Sequence, residues 1–451
     1  MLNSEKKSTY KLLAMALGIL LGGFTLIGID RNLQRVIEIR KLEPIQKPEG
    51  VDTVKVELGR LLFFDKILSG NKDIACATCH HPNLKSGDDL PLSIGVGGDG
   101  MGRSRLMGNY RNRIPRNSPE IFNRGDVKWH TMFWDGRVRD IHGMFETPAD
   151  EKLPDGLENV LAAQAMFPVF SRDEMRGLNG DRDIDGNLNE LALMSDARPQ
   201  SIWMRLMQRI LQFETYRELF AKVYPDIPFT ELGFQHAANA IAAFESVAFT
   251  FEESPWDRYL KGEKEALGPS AKRGALLFYG RAHCAGCHSG RLMTDQQFHN
   301  LAVPQLGPGK DNGKPLDLGR YLETGDVKDR FAFRTPPLRN VATTGPWFHN
   351  GAYTSLQDVV MHHFQAEEQL RSYDGSQLEE SLRTTFKGDE STINLLLENL
   401  DPALRQDIDL KENDMDDLIA FLNSLTDSTS LDLDYLVPEQ VPSGLPVDQV
   451  Q

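Results

Sequence analysis

The sequence predicts a mainly α-helical protein composed of two related halves. Apolar residues recur at helical spacing in both halves, most clearly over 54–64 and 269–279. Alternating apolar runs of the kind that form strands are scarce. The motifs Leu58-Gly-Arg-Leu-Leu-Phe-Phe and Arg273-Gly-Ala-Leu-Leu-Phe-Tyr are similar, and each precedes a pair of cysteines. A repeat unit far longer than the roughly 20–50 residues of solenoid repeats indicates a duplicated domain.

Further helices are predicted where apolar positions keep a helical period. These segments are 155–167, 202–213, 231–251, 355–364 and 414–424. Residues 82–119 are rich in Gly, Pro, Asn and Arg, which predicts a long loop. The predicted order is a signal or membrane anchor (1–31), a linker (32–50), a first helical domain (51–250), a second helical domain (251–425) and an acidic tail (426–451). The composition of the tail predicts disorder.

The N-terminus has the pattern of an export segment. Lys6, Lys7 and Lys11 precede an uncharged, mostly apolar run over 12–29, which ends at Asp30. The run is longer than the apolar core of a typical signal peptide and close to the length of a membrane span. An uncleaved anchor helix and a cleaved signal peptide both fit. In either case the positive flank predicts a periplasmic protein, either soluble or tethered to the inner membrane.

Charge restricts the class of partner. The 451 residues include 65 acidic and 50 basic side chains, which gives a formal net charge of -15. Nucleic acid is therefore not expected as a partner, because phosphate binding requires a basic surface. An acidic surface favours a basic protein partner, such as a small electron carrier.

Two Cys-x-x-Cys-His motifs indicate the cofactor. They are Cys76-Ala-Thr-Cys79-His80 and Cys284-Ala-Gly-Cys287-His288, and they contain all 4 cysteines. Two thiols at this spacing attach the two vinyl groups of one c-type haem, and the histidine that follows is the proximal ligand of the iron. The sequence therefore predicts two covalently bound haems.

Other uses of paired cysteines fit less well. A zinc ribbon places its second pair roughly 15–20 residues after the first, and a thioredoxin-like pair lies in a βαβ context. Disulfides within the pairs would be labile and would leave both adjacent histidines unexplained. Each half is therefore predicted to be a cytochrome c-like helical domain that carries one covalent haem.

The chain resembles the bacterial di-haem cytochrome c peroxidase family, which includes the di-haem enzyme that matures methylamine dehydrogenase. The resemblance extends from about Leu58 to Leu425 and rests on motifs in a matching order. Besides the two haem motifs, these are Leu61-Leu-Phe-Phe-Asp65, Leu90-Pro-Leu-Ser-Ile-Gly95, Pro115-Arg-Asn-Ser-Pro119, Phe133-Trp-Asp-Gly-Arg137, Gln164-Ala-x-x-Pro168 and Thr335-Pro-Pro-Leu-Arg-Asn-Val341. An insertion follows Arg137.

The resemblance implies a role for each half. The haem on His80 would react with peroxide, and the haem on His288 would receive electrons and be six-coordinate. Trp134 falls at the position of a tryptophan between the two haems. Gln164 and Glu174 fall at the glutamine and glutamate of the peroxide pocket, where a carboxylate can move a proton between the two oxygens of peroxide.

Two positions depart from the family pattern. Members that need reductive activation have a histidine ligand one residue after Ser-Ile-Gly, where this chain has Val96. Valine cannot bind iron, so the haem on His80 is expected to be five-coordinate or water-bound. The sixth ligand of the other haem is usually Met or Tyr, but the matching position here is His363, with His362 as the alternative. These two side chains point about 100° apart on a helix, so only one can reach the iron.

The resemblance also implies calcium between the domains, with Asn117, Thr344 and Pro346 supplying oxygen ligands. The expected activity is that of a cytochrome c peroxidase, which reduces hydrogen peroxide to water with electrons from a small cytochrome c or cupredoxin. Peroxide-dependent oxidation of a protein side chain is a second hypothesis, and a plain electron-transfer cytochrome is a third. Gln164 and Glu174 argue against the third, because an electron carrier needs no acid–base pair. A homodimer is a further expectation.

Overall fold

The computed structural model describes residues 28–310, 314–406 and 408–450. The predicted anchor or signal segment lies almost wholly outside these ranges. Within them, no helix is both long enough and apolar enough to cross a membrane. Helices dominate the described residues and the strands there are short, as the sequence predicts.

The helices are distributed over both halves of the chain. Those before residue 250 are α1 (28–40), α2 (Thr53–Phe64), α3 (Cys76–Cys79), α4 (Val160–Ala165), α5 (Pro199–Ile210), α6 (Glu214–Val223) and α7 (Phe234–Ala248). Those after it are α8 (Pro255–Leu260), α9 (Pro269–Tyr279), α10 (Tyr321–Thr324), α11 (Leu356–Phe364), α12 (Ala366–Ser372), α13 (Glu380–Arg383), α14 (Glu390–Glu398) and α15 (Asp414–Asn423).

The strands form two small antiparallel sheets. In the first, β1 (Thr131–Met132), β2 (Val138–Ile141) and β3 (Met144–Glu146) pair in that order. In the second, β4 (Phe298–Asn300) pairs with β5 (Ala332–Arg334). The hairpin of β2 and β3 occupies the insertion after Arg137, with Arg139 opposite Glu146.

Both halves contain the same kind of close helix crossing. In the first half α2 packs against α7, and in the second α9 packs against α15. A Cβ atom added to Gly59 in α2 would lie 1.8 Å from the backbone oxygen of Ala240. One added to Gly274 in α9 would lie 1.8 Å from the backbone oxygen of Asp417. Each crossing therefore requires glycine, and the repeated sequence motif marks the place where the principal helices of each half meet.

Each helix pair lies in its own hydrophobic core. Phe63 of α2 contacts Phe244 of α7 in the first core, with ring centroids 5.3 Å apart. In the second core Phe421 of α15 packs edge-on against Trp256 of α8 at 5.2 Å. Leu33 of α1, within the segment predicted to be a linker, is buried in the second core. The bounds of the two predicted domains themselves stay a prediction.

The prediction that the acidic tail is disordered is wrong. Residues 426–450 return to the first half, where Leu433 is fully buried in its core. Ser443 Oγ donates a hydrogen bond to Asp65 Oδ1 at 2.6 Å, and Thr78 of the first haem motif donates one to Asp448. The acidic composition suggested disorder, but a few well-placed apolar side chains supply the burial that holds the tail.

Replacement of Leu433 by Ala should lower the free energy of unfolding by about 2–5 kcal/mol, because it leaves a cavity in the first core. Leu431, two residues earlier in the tail, is 43% exposed and provides the matched control. Leu431→Ala should change stability by less than about 0.5 kcal/mol. Urea unfolding followed by tryptophan fluorescence measures both. Equal stabilities for the two variants would contradict a packed tail.

Candidate active site

A cavity of about 350 Å³ lies beside the first haem motif. Cys76 and Cys79, both on α3, line it together with His80. None of the 4 cysteines, all of which lie in the described ranges, forms a disulfide. Burial raises the pKa of both Cys76 and Cys79. A single helical turn thus brings two thiols and an imidazole to one cavity, as the motif predicts.

The His80 ring is oriented through its Nδ1 atom. Nδ1 lies 3.2 Å from the backbone oxygen of Ser86 and 3.3 Å from Ser118 Oγ. A carbonyl oxygen can only accept, so Nδ1 carries the proton and Nε2 keeps its lone pair. The Ser118 hydroxyl also lies 3.5 Å from Nε2, but it donates its proton to the Cys79 backbone oxygen at 2.8 Å. Burial lowers the pKa of His80 to about 4, which keeps the imidazole neutral. A neutral imidazole with a free nitrogen is the form that binds haem iron.

The same cavity suits an anionic porphyrin. Its lining combines apolar side chains with the buried guanidinium groups of Arg124 and Arg334. Arg124 Nη1 is buried and has no hydrogen-bond partner among the described residues. Burial lowers the pKa of Arg334 to about 9. Arg124 is paired with Glu120 through Nη2 at 2.8 Å, so its unpartnered Nη1 is the donor that a haem propionate could engage. The residues present therefore fit a c-type haem held by Cys76, Cys79 and His80.

Gln164 and Glu174 line this cavity too. Gln164 lies on α4, and Glu174 lies on a single π-helical turn formed by Arg172–Arg176. The backbone oxygen of Glu174 accepts a hydrogen bond from the Val96 N–H at 2.9 Å. A Cβ atom on Gly95 would lie 1.9 Å from the backbone oxygen of Asp173, so only glycine lets the loop approach this turn. The loop that contains Val96 therefore fixes the turn that presents Glu174.

Val96 is a residue of the hydrophobic core. Its side chain is 2% exposed and belongs to the first hydrophobic core. The position that corresponds to the histidine ligand of the family pattern is therefore an apolar packing position in this chain.

Opposing effects act on the Glu174 carboxyl group. Burial raises the pKa of Glu174 and is the largest effect. The positive charges of Arg137 and Lys310 lower it, as does a hydrogen bond with Ser171, whereas the charge of Asp173 raises it. The net shift of the Glu174 pKa is upward.

Arg137 and Lys310 belong to an ion cluster centred on Asp135. Asp135 is fully buried and contacts Arg116 at 2.6 Å, Arg137 at 3.2 Å and Lys310. Arg116 also contacts Asp317 at 2.6 Å. Although burial opposes ionisation, the three cations hold the pKa of Asp135 well below its usual range. Because Lys310 and Asp317 come from the second half, the cluster joins the two halves beside the cavity.

Trp134 is held between backbone groups of both halves. Its indole Nε1 donates to the backbone oxygen of Asn117 at 3.0 Å, and its own carbonyl accepts from the Arg334 N–H at 2.8 Å. The side chain is 8% exposed and lines the cavity. Trp134 thus lies where the halves meet, and its role in electron transfer stays a prediction.

At the second haem motif, His288 lies opposite His363. The motif begins in a 3-10 turn, Cys284–Gly286, that follows α9 after a short loop, and His363 lies on α11. Their ring centroids are 6.5 Å apart. Two imidazoles that bind one metal ion from opposite sides, each through nitrogen at about 2 Å, have centroids about 6 Å apart. The separation therefore suits a haem iron between the two rings.

Hydrogen bonds leave one nitrogen free on each of these two rings. His288 Nδ1 lies 3.2 Å from the Met293 backbone oxygen, and His363 Nδ1 lies 2.8 Å from that of Val359. In contrast, His362 Nδ1 lies 2.9 Å from the Tyr353 hydroxyl, and its Nε2 lies 2.8 Å from the Leu301 backbone oxygen. Both nitrogens of His362 are engaged, so the geometry favours His363 as the sixth ligand.

Two of the three predicted calcium ligands border one small cavity. Asn117 and Thr344 line a space of about 10 Å³ between the halves, together with Gly345. Asn117 Nδ2 donates to the Leu90 backbone oxygen at 2.8 Å, which leaves its Oδ1 to face a cation. Oxygen donors of this kind suit calcium. Pro346, the third predicted ligand, is not part of the lining.

A third group of candidate ligands lies beside the second motif. Ligand atoms of Cys287, Asp295 and His299 fall within 4.8 Å of one another. His299 is already held by Asp295 at 3.1 Å and Asp401 at 2.7 Å. Since Cys287 is needed for haem attachment, this group is better explained as an ion-pair cluster than as a metal site.

Sequence reasoning missed several charged cavity residues, among them Lys310, Arg334 and Glu245. Lys310 lies in an irregular segment that carries no motif, and Arg334 is a strand residue that meets the cavity through tertiary packing. Glu245 lies on the buried face of α7, and its Oε2 has no partner in the described part of the chain. Burial raises the pKa of Glu245 to about 8. A carboxylate on the apolar face of a helix was the one signal that could have pointed to it.

Comparisons with known proteins agree with this description. A sequence model of the family described as di-haem cytochrome c peroxidase matches residues 53–265. Methylamine utilization protein MauG of Methylorubrum extorquens is 30% identical over 330 residues, which cover 73% of this chain and 74% of MauG. Cytochrome c551 peroxidase of Pseudomonas aeruginosa is 30% identical over 327 residues, which cover 72% of this chain and 74% of that protein.

Solved structures support the same fold. The crystal structure of a MauG-like protein associated with microbial copper homeostasis has a TM-score of 0.57 at 25% identity and covers 88% of this chain and 96% of that one. The diheme peroxidase BthA from Burkholderia thailandensis has a TM-score of 0.57 at 20% identity, covering 90% of this chain and 94% of BthA, and so is similar in fold alone. On its likeness to MauG and to the bacterial peroxidase, this chain belongs to the di-haem cytochrome c peroxidase family, which implies two c-type haems.

Proposed function

We propose that this protein is a di-haem c-type peroxidase that reduces hydrogen peroxide to water with electrons from a small periplasmic donor, either a cytochrome c or a cupredoxin. One observation carries the proposal: Gln164 and Glu174 line the same cavity as Cys76, Cys79 and His80. A plain electron carrier has no use for an acid–base pair beside its cofactor. The haem on His80 would supply the iron at which peroxide is reduced.

The side chains of the cavity would hold peroxide and move its proton. The Gln164 amide can donate a hydrogen bond to one peroxide oxygen and accept one from the other. The Glu174 carboxylate accepts a proton from the first oxygen and returns it to the second, which makes that oxygen a better leaving group. Two electrons and two further protons complete the conversion of one peroxide into two waters. Because Val96 cannot cap the site, we expect it to be open without prior activation.

The second half would supply the electrons. His288 and His363 are proposed as the two axial ligands of its haem, and an imidazole in place of a Met thioether favours the ferric state and a lower potential. Trp134 is the proposed link to the first haem. Calcium between Asn117 and Thr344 would brace the junction through which these electrons pass.

A second function is oxidation of a side chain on a partner protein. Two observations favour it: MauG is as similar to this chain as the bacterial peroxidase is, and Val96 and His363 both depart from the peroxidase pattern. A third possibility, an electron carrier, is disfavoured by Glu174.

Steady-state assays of the holoprotein separate these functions. Consumption of hydrogen peroxide with a reduced small cytochrome c or cupredoxin is the result that the peroxidase proposal expects. Peroxide reactivity without turnover of any such donor, together with a co-purifying protein that gains a modified Trp or Tyr, would favour the second function. Absence of any reaction with peroxide would leave only the electron carrier.

Replacement of Glu174 by Gln should lower kcat/KM for peroxide by about 10²- to 10⁴-fold, because it removes the proton acceptor and keeps the shape of the side chain. Glu214→Gln, at an exposed carboxylate in the first turn of α6, is the control and should retain wild-type kcat/KM. Haem content should be equal in all three proteins. A Glu174→Gln variant as active as wild type would remove Glu174 from the mechanism.

Electron paramagnetic resonance of the fully ferric protein tests the ligands. Wild type should show one high-spin and one low-spin haem, since Val96 leaves the first iron open and His363 caps the second. His363→Ala should abolish the low-spin signal of the second haem. His362→Gln, on the neighbouring residue, should retain it. The reverse pattern would assign the ligand to His362, and two low-spin haems in wild type would show that another residue caps the first iron.

A further inference from the structure

Lys310 brings a positive charge from the second half to the cavity of the first. It lines the cavity together with Glu174 and Arg137. Its ammonium group contacts the buried carboxylate of Asp135 and lies 3.7 Å from Glu323. Burial, with help from the charges of Arg137 and Arg116, lowers the pKa of Lys310 to about 8. The side chain is therefore predominantly charged at pH 7.

The charged neighbours of Glu174 come from three parts of the chain. Asp173 lies on the same turn and disfavours ionisation of Glu174. Arg137 of the first half and Lys310 of the second favour it. The other charged residues that line the cavity are Arg116, Glu120, Arg124, Glu245 and Arg334. Glu174 is thus a half-buried carboxyl on the cavity wall, and the cations that favour its ionisation are two that Asp135 holds.

We propose that Lys310 is a positioning residue of the peroxidase reaction: anchored by Asp135 at the cavity wall, it keeps Glu174 in the ionised form that accepts the proton of peroxide. The inference rests on the proposed function, because it takes Glu174 as the proton acceptor. A carboxyl removed from water favours the neutral form, which cannot accept a proton, and the charge of Lys310 adds to that of Arg137 in opposing this. Since Lys310 belongs to the second half, the acid–base chemistry of the first half depends on contact between the two.

The ion cluster around Asp135 can persist when Lys310 is replaced. Asp135 would keep Arg116 at 2.6 Å and Arg137 at 3.2 Å, so the buried carboxylate would not be left unpaired. Arg137 is further fixed over the ring of Phe133 at 3.5 Å. The loss of Lys310 should therefore act on the electrostatics of Glu174 while the cluster persists.

The direction in which the pKa of Glu174 changes when Lys310 is replaced follows from the charge that is lost. A cation near a carboxyl lowers its pKa, so loss of the cation raises the pKa of Glu174. The acid limb of the peroxide reaction, which requires ionised Glu174, should then move to higher pH. At the pH where wild type reacts at half its maximal rate, Lys310→Met should react roughly two- to five-fold more slowly. At high pH, where Glu174 is ionised in both proteins, the rates should converge.

Two readouts test the inference on the holoprotein. The first is the pH profile of the second-order rate constant with peroxide, measured by stopped flow. The second is an infrared titration of the protonated-carboxyl band that disappears in Glu174→Gln, which needs no turnover. The variants are Lys310→Met, Lys310→Arg and the control Lys261→Met. Lys261 forms an ion pair with Glu253 at 2.6 Å and is not part of the cavity wall.

The expected result is a higher midpoint in both readouts for Lys310→Met, restoration by Lys310→Arg, and wild-type behaviour for Lys261→Met. A merely structural role would reduce the rate at all pH values without moving either midpoint, and that result would overturn the inference. So would an unchanged profile. If the infrared midpoint moves but the wild type does not react with peroxide, the electrostatic link stands and the proposed function fails.

Discussion

The buried carboxylate of Asp135 is the interaction on which the junction of the two halves depends. An unpaired charge at a site with no exposure would be strongly unfavourable, so the Asp135 carboxylate requires cationic partners. Two of these, Arg116 and Arg137, are local in sequence, and Lys310 comes from the other half. Arg116 extends the cluster to Asp317. The halves are thereby fixed in one relative position by charge pairing that tolerates little displacement.

This junction also forms one wall of the active-site cavity. Lys310 and Arg334 reach the cavity from the second half, while Cys76, Cys79 and His80 come from the first. A cavity assembled from both halves can exclude water and keep its charges strong, because their interaction falls steeply with solvent exposure. The first half alone would lack two of the cations that a haem and an ionised Glu174 require.

The two halves share one kind of helix crossing and differ in their sites. Gly59 and Gly274 allow the same close crossing of helices, and a haem motif follows each. The difference lies in what faces each motif. In the first half a π-helical turn presents Glu174 and no histidine, whereas in the second half α11 brings His363 to face His288. An open site beside an acid–base pair suits peroxide, and a site capped by imidazole suits electron transfer.

Local features could be predicted from the sequence, and long-range ones could not. The thiol spacing of the haem motifs and the helix that ends at Tyr279 depend on neighbouring residues, so pattern alone located them. The helix predicted over 155–167 begins only at Val160, because Gly156 adopts φ +90° and Asn159 caps the helix by accepting from the Ala162 N–H. Lys310 and the tail have no local signal, since their roles arise from contacts with residues far away in sequence.

The tail covers the middle of the first haem motif, whereas the same position of the second motif is exposed to solvent. Thr78, in the middle of the first motif, is fully buried and bonded to Asp448 of the tail. Gly286, at the same position of the second motif, is exposed, and an added Cβ atom would meet nothing within 4 Å among the described residues. A donor protein must bring its own cofactor close to a haem, and at this position of the motif the second half is the more exposed of the two. The packed tail thus agrees with the proposed entry of electrons at the second half, because it covers the middle of the first motif.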